Sequence, residues 1–348
     1  MGFETTEGKN LTNPRRDLRI LRFLLHGGLF ILTFVTAAIA GVQWGGRNPF
    51  ELRNISYGFE YAGAILFVLA AHEFGHYFAA RYHRVNTTLP YFIPFPPLPF
   101  LLNFGTLGAV IRTRSVVPSK KVMFDIGVAG PIAGFVACLA IITYGFVTLP
   151  GPEYILNIHP EYDFASNAVP GSPGIPLEFG QTLLFKGMMQ LFSDPANQFV
   201  PPMTEIYHYP LLCVGWFGLF VTAMNLIPIG QFDGGHIIYA MFGDKHRLIA
   251  KSAFIGLLVL GVPSVLESLL QPVFSRFADQ PISQVIPFSE YSWSGWFLWA
   301  LISYYFVKLY HPPVPEESPL DDSRMMVGWV AIGIFILCFS FIPFTIAL

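Results

Sequence analysis

ISYGFEYAGAILFVLAAHEFGHYFAA, residues Ile55–Ala80, is the stretch on which the reading of this chain turns. As a helix it is long enough to cross a bilayer core of about 30 Å, yet its second half carries His72, Glu73 and His76. Ionisable side chains cost about 2.5–3.5 kcal/mol each at the centre of a membrane helix, so such a cluster needs a reason. On a helix, His72 and His76 stand one above the other with Cβ atoms about 5–6 Å apart. Two imidazoles at that spacing can bind one zinc ion at about 2.0–2.1 Å. Glu73 projects beside them and suits a general base acting on a metal-activated water. The plainer alternative is two buried histidines satisfied by neighbouring carbonyls.

Outward from this stretch, the composition fits a membrane protein. The chain is 53% hydrophobic and 12% charged, with mean hydropathy +0.53; a soluble domain holds about 25% charged residues. Apolar runs near residues 20–45, 55–80, 122–149, 208–228, 247–270, 293–310 and 326–346 give seven candidate spans. With the N-terminus inside, sixteen of the 20 Lys and Arg residues fall in inner segments or at their helix ends, and only Arg47, Arg53, Lys186 and Arg276 lie outside. This positive-inside bias puts the N-terminus in the cytoplasm and the C-terminus outside. The expected fold is an all-α polytopic membrane protein of about seven transmembrane helices with a short membrane-associated β-hairpin or strand loop. Its parts are a tail (1–19), a first span (20–45), a core that holds the His72–His76 helix, the strand loop and the external loop (55–250), and C-terminal spans (251–348). The N-terminus, polar through Asp17, has neither a signal-peptide cleavage site nor the composition of a transit peptide. A net charge of -2 without a basic tract points to no nucleic-acid partner. Cys138, Cys213 and Cys338 lack paired spacing and read as small buried apolar residues.

Two connections stand out. Residues 87–117 open with the proline-rich stretch Pro90–Pro99, which forbids a helix. Gly105–Arg114 then has β-branched residues bounded by glycines and predicts a short strand or hairpin. Such apolar backbone must be buried in protein or line a cavity unless it lies in the interface. Residues 150–206 form an external loop in which Leu177–Phe192 suits an amphipathic surface helix. Residues 311–324 read as an ordinary solvated loop.

A catalytic zinc takes three protein ligands and leaves one position open. The third should come from the broken fourth span, Asn225-Leu226-Ile227-Pro228-Ile229-Gly230-Gln231-Phe232-Asp233-Gly234-Gly235-His236. His72 precedes Arg81 and Arg84 by nine and twelve residues, roughly 14–18 Å of helix, and Asp233 precedes Lys245 by twelve. Both candidates thus reach the cytoplasmic half. Asp233 is favoured because two glycines follow it and free the backbone to turn; His236 is the rival. Asp233 could instead cap a helix beginning at Gly234. His26, His83, His159, His208, His246 and His311, scattered near span ends and loops, read as interfacial residues.

With these residues in view, the chain resembles the site-2 protease family of intramembrane zinc metalloproteases. The resemblance rests on His72-Glu73-Phe74-Gly75-His76, on Asn225–Gly234 as an Asn-x-x-Pro-x-x-x-x-Asp-Gly pattern, and on Gly127-Val128-Ala129-Gly130-Pro131-Ile132-Ala133-Gly134 between them. It covers residues 55–250 and is similar to the bacterial and plastid branch without added PDZ or nucleotide-binding domains. It implies that His72, His76 and Asp233 hold one zinc per chain, that Glu73 is the catalytic base, and that Asn225 binds substrate or polarises its carbonyl. Phe232 stands where leucine is usual. The implied reaction is hydrolysis of a peptide bond in or near a transmembrane segment of another protein, in a bacterial inner membrane, with no oligomer predicted. An unwound substrate could pair with the strand carrying Gly105, Val110 and Arg112. The glycines Gly127, Gly130 and Gly134 suit close helix packing. A metal-ion transporter would show paired broken helices in two related halves, and no such symmetry is visible.

Overall fold

The computed structural model describes residues 14–96, 103–165, 177–195, 198–276 and 286–346. The described residues are mostly helical, at 65%. Helix α1 (Pro14–Trp44) opens with a proline, tolerated in a first turn where no backbone N–H is needed. It begins inside the expected tail, whose residues before 14 lie outside the described part. A 3-10 turn leads into α2 (Phe59–Tyr82), and strands β1 (Tyr91–Pro94) and β2 (Thr106–Val110) lead to α3 (Lys120–Val147). Ser119 caps α3 by accepting the Val122 N–H. Next come α4 (Glu153–Leu156), β3 (Leu177–Phe179), α5 (Leu183–Phe192) and α6 (Pro210–Asn225). The chain ends with α7 (Asp233–Phe242), α8 (His246–Phe274), α9 (Ser294–Ile302), α10 (Asp322–Cys338) and β4 (Phe344–Ile346).

Among the described residues four helical stretches are long and apolar enough to cross a membrane: Ile20–Trp44, Leu52–Tyr82, Lys120–Val147 and Asp233–Phe274. Seven were expected. The stretches near 208–228, 293–310 and 326–346 form shorter helices, because Pro228 ends α6, a π-helical turn follows α9, and α10 stops at Cys338 before the chain turns into β4. Helix α6 sits at the centre. Its Trp216 and Leu219 are fully buried, and it packs between α2, α3 and α10. Gly218 admits the Cys138 thiol, since a Cβ there would lie 2.3 Å from Cys138 Sγ. All three cysteines are free and buried. Large apolar side chains are exposed along α1 (Phe23, Leu24, Ile31) and α8 (Leu248, Val259, Leu269), as lipid contact requires.

The two small antiparallel sheets fix the connections. Strands β1 and β2 pair Tyr91 with Val110 and Phe92 with Ala109, so the expected hairpin is present. It is tied to α1 by the Thr36 hydroxyl, which donates to the Gly105 carbonyl at 2.6 Å. Gly105 has φ +75°, and a Cβ there would meet Ala37 Cα at 2.3 Å. Strands β3 and β4 pair Leu177 with Ile346 and Phe179 with Phe344, so the chain's end and the 150–206 connection share one end of the bundle. Leu177–Phe192 is therefore not one surface helix. Thr182 starts a new element by accepting the Phe185 N–H, and α5 packs on α3 and α10 with Phe185 fully buried.

Candidate metal centre

Helix α2 places His72 and His76 one turn apart, and their Nε2 atoms lie 3.1 Å from each other. Helix α7 starts at Asp233, whose Oδ2 is 3.4 Å from both Nε2 atoms. The three donors form one cluster of two buried histidines and a partly buried carboxylate. The N-cap of α7 is Phe232, and Asp233 is the first helical residue, so its carboxylate faces the histidines and caps nothing.

Tetrahedral ligands at about 2.0–2.1 Å stand about 3.3–3.4 Å apart; the two contacts to Asp233 match this at 3.4 Å, and the two imidazoles are slightly closer at 3.1 Å. His76 Nδ1 lies 2.7 Å from the Ile126 carbonyl. That contact requires the proton on Nδ1 and turns the Nε2 lone pair inward, as metal-ligating histidines usually do. The donor set fits.

The glycines of α3 make room for these rings. A Cβ at position 130 would sit 2.1 Å from His76 Nε2, and one at 134 would sit 3.1 Å from His72 Cβ. Position 127 faces His236 Cβ at 3.0 Å, and on α2 a Cβ at 75 would meet the Ala129 carbonyl at 2.5 Å. The two glycines after Asp233 serve approach as well. They are helical, not turned, and a Cβ at 234 or 235 would strike the carbonyls of Leu226 at 2.0 Å or Gly230 at 2.3 Å. Gly230 itself has φ +52°, a left-handed turn that glycine adopts without strain. Its N–H donates to the Leu309 carbonyl at 3.1 Å.

His236 lies one turn beyond Asp233 and makes a different contact: its Nδ1 is 2.8 Å from His311 Nε2. His311 stacks on Tyr239 at 4.5 Å. Burial, and after it the neighbouring His236, hold the His311 imidazole down to about 4, so it is neutral at ordinary pH. Residues 311–324 are thus not simply solvated. Glu317 accepts from the Tyr239 hydroxyl at 2.7 Å and pairs with Lys120 at 3.0 Å. Ser119 and Glu316 bridge as parallel backbone. Other histidines expected to be merely interfacial also have partners. His83 meets Asp125 at 2.8 Å, and Asp125 takes a two-pronged bond from Arg324. His159 and His208 meet each other and Glu205.

Glu73 and His72 line a cavity of about 400 Å³ whose walls are largely apolar. Asn225 lines it too, with Nδ2 3.4 Å from His72 Nε2. Strand β2 forms one wall through Leu107, Gly108, Ala109 and Val110. Of the three strand residues expected at a substrate groove, the structure brings only Val110 there. Gly105 is buried against α1. Arg112 is exposed, and its backbone pairs with Thr88. The Ile111 backbone, by contrast, comes near the Glu73 carboxylate. Period-two alternation puts Val110 and Arg112 on one face, so it could have separated Val110 from Gly105 but not from Arg112.

Residues 60–262 match the profile described as peptidase family M50. The chain is 30% identical over 259 residues to "Probable zinc metalloprotease EGY1, chloroplastic" of Oryza sativa subsp. japonica, covering 73% of this chain and 35% of that protein. It is also 30% identical over 228 residues to the Arabidopsis thaliana protein of that name, covering 63% and 37%. To "Probable zinc metalloprotease EGY2, chloroplastic" of Oryza sativa subsp. indica it is 29% identical over 191 residues, covering 55% and 30%. The chain therefore spans about a third of the length of these relatives, whose names place them in chloroplasts and not in a bacterial membrane. No solved structure matches it.

Proposed function

This chain belongs to peptidase family M50, and from that premise we propose that it is a zinc metalloprotease hydrolysing peptide bonds within or beside transmembrane segments of other membrane proteins. The observation that carries the proposal is the meeting of two helices at one point. His72 and His76 from α2 and Asp233 from α7 converge beside a cavity that also holds Glu73.

In this reading His72, His76 and Asp233 hold zinc, which when bound lowers the pKa of a water toward about 7 and polarises the substrate carbonyl. Glu73 takes the proton from the attacking water onto its carboxylate and passes it to the leaving amine. Its carboxylate stands in the cavity wall, close to the end of β2. Asn225 Nδ2 donates to the oxygen that gains negative charge. A helical substrate must unwind to expose its peptide bond, and β2, lining the cavity, offers an edge for the extended segment. The apolar walls favour a chain drawn from lipid. Seven spans, with the N-terminus on the Lys- and Arg-rich side, remain the proposed topology; α6, α9 and α10 would then be short spans sheltered by their neighbours. The proposed core is 55–250, followed by C-terminal spans.

Glu73→Gln beside wild type, assayed on a membrane-inserted substrate with zinc content measured on both, tests this. Turnover should fall by about 10²–10⁴ while zinc stays. Full turnover in the variant, or wild-type protein without zinc at His72, His76 and Asp233, would sink the proposal.

A further inference from the structure

We propose that His159, Glu205 and His208 form a second zinc site, at the far end of α6 from the first. Among the described residues these three form the other group able to hold a metal ion. His208 stands just before α6, whose 16 residues run to Asn225 beside His72. At 1.5 Å per residue that separates the two sites by about 24 Å.

The geometry parallels the first cluster. His159 Nε2 and His208 Nε2 are 3.0 Å apart, and each lies 3.7 Å from Glu205 Oε2. His208 is fixed on both sides. Its Nδ1 is 2.7 Å from the Trp44 carbonyl, and its own carbonyl accepts the Tyr154 hydroxyl at 2.8 Å. The Trp44 contact places the ring proton on Nδ1, leaving Nε2 as a bare lone pair facing the other two groups. A proton on His159 Nε2 could satisfy that one lone pair. It would leave Glu205 stranded, because 3.7 Å exceeds hydrogen-bond reach.

Glu205 supplies the independent observation. The residue is 5% exposed, and its Oε2, the atom facing both imidazoles, has no hydrogen-bond partner. The buried hydroxyls of Tyr162 and Tyr209, both near enough to interact with the Glu205 charge, also lack partners. Buried polar atoms are rarely left unpaired, and three around one carboxylate point to a missing occupant. A cation between the three donors satisfies both lone pairs and the carboxylate together. Two imidazoles and one carboxylate are a zinc donor set. Such an ion would staple the end of α1, the turn after α4 and the start of α6.

The test is zinc content per chain of the full-length protein in detergent, for wild type, Glu205→Gln, His159→Gln and Asp233→Asn. Two zinc ions are expected in wild type and one in each variant; the zinc that each variant retains shows that it has folded. If wild type holds one zinc that Asp233→Asn keeps and Glu205→Gln loses, the second site stands and the proposed protease centre fails. If Glu205→Gln loses all metal through misfolding, His159→Gln, altered at a partly exposed loop residue, decides. Wild-type zinc content in both Glu205→Gln and His159→Gln overturns the proposal.

Discussion

At the scale of single residues, the metal cluster depends as much on missing atoms as on donors. Gly130→Ala would push a methyl group into the space of His76 Nε2, so the variant should lose zinc and cleavage together. Gly63→Ala on α2, where nothing lies within 4 Å of a new Cβ, should leave both unchanged. Elemental analysis of the two purified variants checks this, and zinc retained by Gly130→Ala would contradict it. His311 offers a pH test. Its pKa is held to about 4 in the fold against 6.5 when unfolded, so the unfolded chain binds more protons between those values. Its contribution is complete above about 6.5 and is lost as pH falls through 4. Thermal unfolding at pH 5 and 7.5 should therefore show a smaller acid penalty in His311→Asn than in wild type. The donors themselves were legible in sequence, because ionisable groups cost too much in an apolar run to stand there without a charge partner or a metal. The contacts of His159 and His311 were not, since their partners lie 49 and 75 positions away.

At the scale of elements, the β1–β2 hairpin and the α6–α7 turn decide what the site can do. Ile111→Pro disturbs the backbone just beyond β2, the strand that lines the cavity. If β2 holds the substrate by edge pairing, cleavage should fall by roughly tenfold, the cost of about 1.4 kcal/mol in a weakened substrate pairing, with zinc content unaltered. A variant cleaving at the wild-type rate would show that the hairpin does not hold substrate. Gly230→Ala sets a side chain against the Lys308 carbonyl at 1.8 Å in a left-handed turn; zinc affinity should drop because Asp233 rides on that turn. Proline and glycine punctuation made both elements visible in sequence. Periodicity mistook their detail: Gly234 and Gly235 looked like a flexible hinge, but they are helical positions where another backbone comes close. Apolar length made seven stretches visible, but it could not tell that α6, enclosed by other helices, would be shorter than the lipid-facing ones.

At the scale of the whole molecule, Asp125 joins three helices. His83 at the end of α2, Asp125 on α3 and Arg324 on α10 form one partly exposed knot. Arg324→Gln should lower stability by about 1 kcal/mol, since ion pairs open to solvent contribute little, and leave zinc binding intact; thermal unfolding in detergent measures it. The tie between Gly230 and Leu309 reaches further. Residues that brace the metal turn are made 79 positions after it. At about 5–20 residues per second, synthesis of that stretch takes roughly 4–16 s. During this interval the donors have been made and their brace has not. If the proposed protease is built this way, its centre stays unfinished while its own nascent spans, and those of its neighbours, are still threading into the membrane.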